Sequence, residues 1–112
     1  MTTFDKNKRI VHQKWTRAAK GQPCKLAIPG VCIDFYPHEK VVACHLPSDQ
    51  KSMSYKSDDV NSVDGCSMCH SAIDGDWDRC TKGMYNNEDK MFFMLRALQR
   101  TNHDRFKRKI VK

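Results

Sequence analysis

Cys66-Ser-Met-Cys69 places two thiols three positions apart, the spacing that lets both sulfurs reach one ion at about 2.3 Å. Cys24 and Cys32 flank Lys-Leu-Ala-Ile-Pro-Gly-Val, whose Pro29-Gly30 step favours a type II turn and returns one cysteine to the other. Together Cys24, Cys32, Cys66 and Cys69 make a closed tetrahedral thiolate set, which selects Zn2+ and leaves no position for a substrate, so its role is structural. Such a site supplies about 10 to 16 kcal/mol of apparent binding free energy, as much as a typical domain's whole stability. Two other uses of these cysteines stay open: a redox C-x-x-C, which would need a βαβ context, and disulfides, which would need an oxidising compartment. Cys44, in an apolar run, reads as a small buried hydrophobe with ligation through its place beside His45 as the other possibility, and Cys80 has no evident partner.

A second group of residues could do acid-base and metal chemistry. His70 follows Cys69 directly and precedes Asp74 by four residues, so on a helix both side chains share one face and can share a cation. The adjoining cysteines would fix that face in the fold. His45 ends an apolar run, where a neutral imidazole could take a proton from water attacking phosphorus. Histidines at such positions are otherwise packed or solvated, and His12, His38 and His103 have no neighbours suggesting more.

These residues need elements to hold them. Residues 8–20 carry Ile10, Val11, Trp15 and Ala18 at helical spacing before Gly21 and Pro23, which predicts a first helix. Lys40 to Leu46 is β-branched and apolar up to Pro47, a strand; Asp59 to Asp64 suits a second short strand; and a helix begins at Cys69 and runs to about Asp74. After Glu88 and Asp89 a long helix follows, with Met91, Met94, Leu95, Ala97 and Leu98 as its apolar face and a basic tail after Thr101. At 112 residues one domain is expected, able to bury about 65% of its unfolded surface, a thin core that benefits from a metal staple.

The net charge of +7 is unevenly spread: residues 1–25 carry +6 and residues 99–112 carry +5, while residues 34–90 carry −5. Basic ends around an acidic centre suit a polyanion gripped by the ends with a carboxylate-bearing site facing it, although solvated basic ends would look the same. Arg17, Lys20, Lys56, Arg105, Lys107, Arg108 and Lys109 are the expected phosphate contacts. The first thirty residues contain no unbroken apolar run of signal-peptide length, and no segment suits a membrane, so a cytoplasmic location is expected.

The run Cys44-His45-Leu46-Pro47, then Asn61, then Cys66-Ser-Met-Cys69-His70 resembles the zinc-containing HNH (His-Me finger) endonucleases, where a strand histidine, a loop asparagine and a helix histidine follow in that order. AAKGQPCKLAIPGVC, the strand ending Ala-Cys-His, and CSMCHSAIDG are similar to small phage and prophage nucleases with a four-cysteine zinc site, a likeness covering about residues 18–79. The chain departs from the pattern at Cys44, where many HNH proteins carry Asp or His.

The resemblance implies an α+β fold with a small ββα-metal core and a structural zinc. That core (23–80) would be flanked by a basic N-terminal helix (1–22) and a longer C-terminal helix (88–112). It implies His45 as general base, Asn61 as the residue orienting that base, and His70 and Asp74 as ligands of a catalytic Mg2+ or another divalent cation. The function implied is a metal-dependent endonuclease acting on nucleic acid, DNA being the expected form, in the host cytoplasm if phage-encoded and alongside phage or host recombination or replication proteins. A non-catalytic zinc module that binds nucleic acid shares every feature except the His45, His70 and Asp74 set. A zinc-stabilised adaptor for proteins would show no salt-dependent affinity for nucleic acid.

Overall fold

The computed structural model describes residues 10–33, 38, 40–46 and 58–110. In chain order the elements are α1 (Gln13–Arg17), β1 (Val42–His45), β2 (Ser62–Gly65), α2 (Ser67–Ser71), α3 (Trp77–Thr81) and α4 (Asn87–Lys107). The fold is thus small and α+β, with one two-stranded sheet among the described residues. None of the described helices is long and apolar enough to cross a membrane.

β1 and β2 pair antiparallel, with Val42 opposite Gly65, Ala43 opposite Asp64, Cys44 opposite Val63 and His45 opposite Ser62. The pleat turns Cys44 inward, where it is fully buried, and leaves its neighbour His45 half-buried at the strand's end. Burial pushes the Cys44 thiol up to about 12, as befits a small buried hydrophobe. Gly65 is dictated by packing: a Cβ there would lie 2.8 Å from Leu26 Cδ1 and 2.9 Å from Cys44 Sγ. The core around this hairpin includes Leu26, Ile28, Val31, Val41, Leu46, Val63, Ala72, Ile73, Phe93 and Ala97.

α1 is shorter than the 8–20 helix the sequence suggests. Ile10 and Val11 are exposed, and their segment lies along the turn before β2: Ile10 N donates to Asp58 Oδ1 at 2.6 Å and His12 N to Asp59 Oδ2 at 2.7 Å. His12 then caps the helix, its Nδ1 accepting from Trp15 N at 3.2 Å. Helical spacing was present, but pairing with Asp58 and Asp59 outcompeted it.

α4 begins with a reciprocal capping box, Asp89 N donating to Asn86 Oδ1 at 2.8 Å and Asn86 N to Asp89 Oδ2 at 3.2 Å. The face it buries shares with the expected apolar stripe only Ala97 and, in part, Met94 and Leu98. Phe93, Ala97, Thr101 and Arg105, each four residues from the last, point inward, while Met91, Phe92 and Leu95 are more than half exposed and only Met94 and Leu98 of the stripe's long side chains pack partly on the core. The inward face is part polar because α4 crosses β2, where Asp64 waits: Thr101 Oγ1 accepts from Asp64 N at 3.2 Å.

Arg105 is the other partner of that residue, which corrects its expected role at the surface. It is 0% exposed and forks onto both Asp64 oxygens, with Nη1–Oδ2 at 3.0 Å, while its Nε donates to Trp15 O at 2.8 Å. Lys25 Nζ, also buried, donates to Asp64 Oδ2 at 2.7 Å, and Asp104 Oδ2 accepts from Arg105 Nη1 at 2.7 Å, so two cations face two carboxylates. Burial alone would ease the proton off Arg105, but the hydrogen bonds and charge of Asp64 and Asp104 hold it on. Four of its five N–H donors are taken and the side chain is fully buried, so it does not present itself to a phosphate at the surface.

Candidate active site and metal centre

The four expected cysteines meet. Cys24 follows Pro23, and Cys32 is returned by the Ile28-Pro29-Gly30-Val31 turn, where Gly30 takes φ +80° and Val31 N donates to Ile28 O at 3.0 Å. Cys66 is the residue before α2 and Cys69 lies in its first turn. All four Sγ atoms lie within 4.8 Å of one another, and those of Cys66 and Cys32 are 3.9 Å apart. That is close to the roughly 3.8 Å sulfur–sulfur edge of a tetrahedron with metal bonds of about 2.3 Å. Backbone amides already point at the sulfurs: Ala27 N donates to Cys24 Sγ at 3.4 Å, Cys66 N to Cys24 Sγ at 3.3 Å and Ile33 N to Cys66 Sγ at 3.4 Å.

Thiols this crowded cannot all ionise unaided. Hydrogen bonds from Cys24 and Cys69 drop Cys66 far below the ordinary thiol range. The same sharing, with Cys66 as acceptor, pushes Cys24 up to about 12, and hydrogen bonding with Cys24 and Cys66 raises Cys69. A divalent cation among the sulfurs removes that conflict, and the buried, amide-solvated four-sulfur set is compatible with zinc.

At the outer end of β1, His45 Nε2 lies 2.9 Å from Asp59 Oδ1. The carboxylate can only accept, so it selects the tautomer with hydrogen on Nε2 and leaves Nδ1 as the ring's proton acceptor. Asp59 is itself fixed: its other oxygen accepts from His12 N, and its carbonyl accepts from Ser62 Oγ at 2.6 Å. Asn61 acts elsewhere than on the ring. Its Nδ2 donates to Leu46 O at 3.4 Å and its own carbonyl accepts from Leu46 N at 2.9 Å, which pins the chain immediately after His45.

His70 is half-buried on α2, its amide donating to Cys66 O at 2.8 Å, so the helix that carries Cys69 of the four-sulfur set also carries this imidazole. Asp74 lies one turn later and is exposed. The helix ends there rather than continuing, because Asp74 (φ −88°, ψ 16°) and Gly75 (φ +115°) leave helical geometry within the wide turn Ala72–Asp76. Among the described residues the four cysteines are the only group of three or more His, Cys, Asp or Glu donors close enough to hold an ion, so His70 and Asp74 are not gathered with a third ligand.

The family model described as "Putative nuclease YbcO" matches residues 13–109, which takes in α1, the cysteine centre, His45, His70 and all of α4. The chain belongs to the YbcO family. No curated protein matches it. A solved structure, "Structure of a putative bacteriophage protein from Escherichia coli str. K-12 substr. MG1655", is similar at TM-score 0.61 and 26% identity, covering 84% of this chain and 98% of that one. The family name points to a nuclease with a nucleic-acid substrate, and the structural neighbour to a phage setting.

In this YbcO-family chain Asp59, to which the sequence assigns no definite role, is the partner of His45, 14 positions away across the hairpin. An acidic residue just before the second strand was the available signal. The basic candidates divide. Lys20, Lys107, Arg108 and Lys109 are exposed, as is Arg17 beside them on α1, Arg105 is spent on Asp64, and Lys56 lies outside the described residues. Arg108 Nη2 donates to Ala18 O at 2.7 Å, joining the basic end of α4 to the basic end of α1.

Proposed function

We propose that this YbcO-family chain is a metal-dependent endonuclease of the HNH type that hydrolyses phosphodiester bonds, DNA being the expected substrate. The observation that carries the reading is the 2.9 Å contact between His45 and Asp59 at the end of the hairpin where the chain leaves β1 and enters β2, followed in the chain by the helix bearing His70. The order of strand histidine, asparagine and helix histidine agrees with the HNH resemblance.

In this account His45 Nδ1 takes the proton from the attacking water, and Asp59 holds the ring's tautomer and stabilises the imidazolium that forms. Asn61 acts on the backbone, keeping the strand end from shifting the ring. His70 and Asp74 would hold a divalent cation, which when bound would neutralise charge on the scissile phosphate and leaving oxygen. The sealed cysteine centre has no open position, so it holds the fold and takes no part in the chemistry.

Zinc-loaded protein should nick plasmid in the presence of added Mg2+, Mn2+ or Ni2+. His45→Ala should lose about 10²- to 10⁴-fold in rate while keeping its zinc and its melting temperature. Folded, zinc-loaded wild type that binds nucleic acid yet cuts with none of these ions would instead be a binding module.

A further inference from the structure

Where α1 meets the end of α4 there is an open groove of about 390 Å³ lined by Lys14, Arg17, Ala18, Arg108, Lys109 and Ile110. We propose that this groove seats a backbone phosphate of the nucleic acid and sets where the strand lies relative to His45. The polymer's identity rests on the nuclease reading; the anion site rests on the groove itself.

Four cations and no carboxylate line the groove. Asp104 stands behind it, accepting from Arg108 Nε at 2.9 Å and Nη2 at 2.5 Å, which partly offsets Arg108 and, with the bond to Ala18 O, holds its fork in place. No carboxylate among the described residues pairs with Lys14, Arg17 or Lys109. Uncompensated cations beside a pre-oriented guanidinium match a phosphodiester oxygen better than a neutral ligand.

The backbone fixes where Lys109 stands. Ile110 N donates to Arg105 O at 2.8 Å and Lys109 N to Phe106 O at 3.0 Å, the paired bonds of a Schellman helix stop, with Lys109 left-handed at φ +60°. Glycine is the favoured residue at that position, and a β-carbon is disfavoured there. Lys109 therefore brings its charge to the groove from a position where glycine would sit with less backbone strain, as Lys82 does at the end of α3.

The groove is also tied to the candidate base. Lys14 and Arg17 ride on α1, whose cap residue His12 donates its amide to Asp59 Oδ2, while Asp59 Oδ1 holds His45. One carboxylate therefore links the imidazole to the helix that carries half of the groove.

The test is binding of a labelled duplex oligonucleotide to zinc-loaded His45→Ala protein without added divalent metal, across a salt series. Adding Lys14→Gln/Arg17→Gln should weaken binding roughly tenfold and lower the slope of log K against log salt by about 1. Lys82→Gln/Arg100→Gln, removing equal charge from exposed positions elsewhere, should change affinity less than about twofold. Lys109→Gly should weaken binding while its melting temperature stays the same or rises, a result no structural role for the lysine explains. Equal losses in the groove and control variants, or no loss in either, would overturn the groove, as would a parent that does not bind. Inorganic phosphate that competes far more strongly than chloride at equal ionic strength would assign the groove to free phosphate and overturn the anchoring role. If the parent binds through the groove but wild type never cuts, the nuclease reading fails and the groove stands; if wild type cuts and the groove variants bind normally, the reverse holds.

Discussion

The cysteine centre and the histidine end of the hairpin are neighbours in the chain but are built by opposite rules. Around the cysteines, four like donors converge within 4.8 Å, sealed by core side chains and backbone amides, so the site is complete in itself. At the other end a single half-buried imidazole is steadied by one carboxylate, and His70 and Asp74 stand half-buried and exposed without a third ligand among the described residues. A closed donor set spends its bonding on stability, whereas an open one leaves room for a substrate to complete it. Adjacent residues of one helix, Cys69 and His70, should therefore fail in different ways when replaced.

The sharpest break is at Cys69. Cys69→Ser should release the metal and with it about 10 to 16 kcal/mol of apparent binding energy, more than a domain of this size can lose and stay folded. Metal stoichiometry by absorption spectroscopy, together with a melt, reads this directly, and a cooperative fold within a few degrees of wild type would refute the structural role.

Next in size is the buried ion network that ties α4 to β2, as the four-cysteine centre ties α2 to the segment around Cys24 and Cys32. Arg105→Ala leaves Asp64 without its fork and should cost about 3 to 5 kcal/mol in urea unfolding, while the folded fraction keeps its affinity for nucleic acid. Lost affinity without lost stability would return Arg105 to the phosphate contacts.

A smaller effect is expected where the hairpin touches the core. Gly65→Ala drives a methyl into Leu26 and Cys44 and should destabilise by about 1 to 3 kcal/mol in the same unfolding measurement, since neither neighbour is at a free surface.

The mildest change is electrostatic. Burial works to raise the Asp104 carboxyl, but hydrogen bonds from Arg108 and Arg105, with the charge of Lys25, together hold it below the usual carboxylate range. A depressed folded value contributes stability above the unfolded pKa of about 3.9, lost as pH falls through the folded value. Asp104→Asn should therefore cost about 1 kcal/mol at neutral pH, a figure kept low by solvent screening, and the gap to wild type should close below about pH 4 in melts run across pH.

How much of this was legible beforehand follows from how local each arrangement is. The C-x2-C pair and the Pro-Gly turn bring sulfurs together within short segments, so Cys24, Cys32, Cys66 and Cys69 could be read as one site. The two strands and the helix after them were visible in apolar runs and turn residues. The pairing of Asp59 with His45 depends on hairpin register. The burial of Arg105 depends on Asp64, 41 positions away. In a basic tail such an arginine looks like every other surface cation, and the inward face of α4 was legible only at Ala97, Met94 and Leu98 for the same reason, because its polar members are satisfied only by tertiary partners.

The central claim is that His45 is the base of a hydrolytic site, and chemical rescue tests it most directly. Zinc-loaded His45→Gly protein should fold normally and cut plasmid about 10²-fold or more slower than wild type, with added imidazole restoring much of the rate in proportion to its unprotonated fraction. Undiminished cleavage by His45→Gly, or loss that no imidazole concentration repairs in a folded, zinc-bound protein, would contradict it.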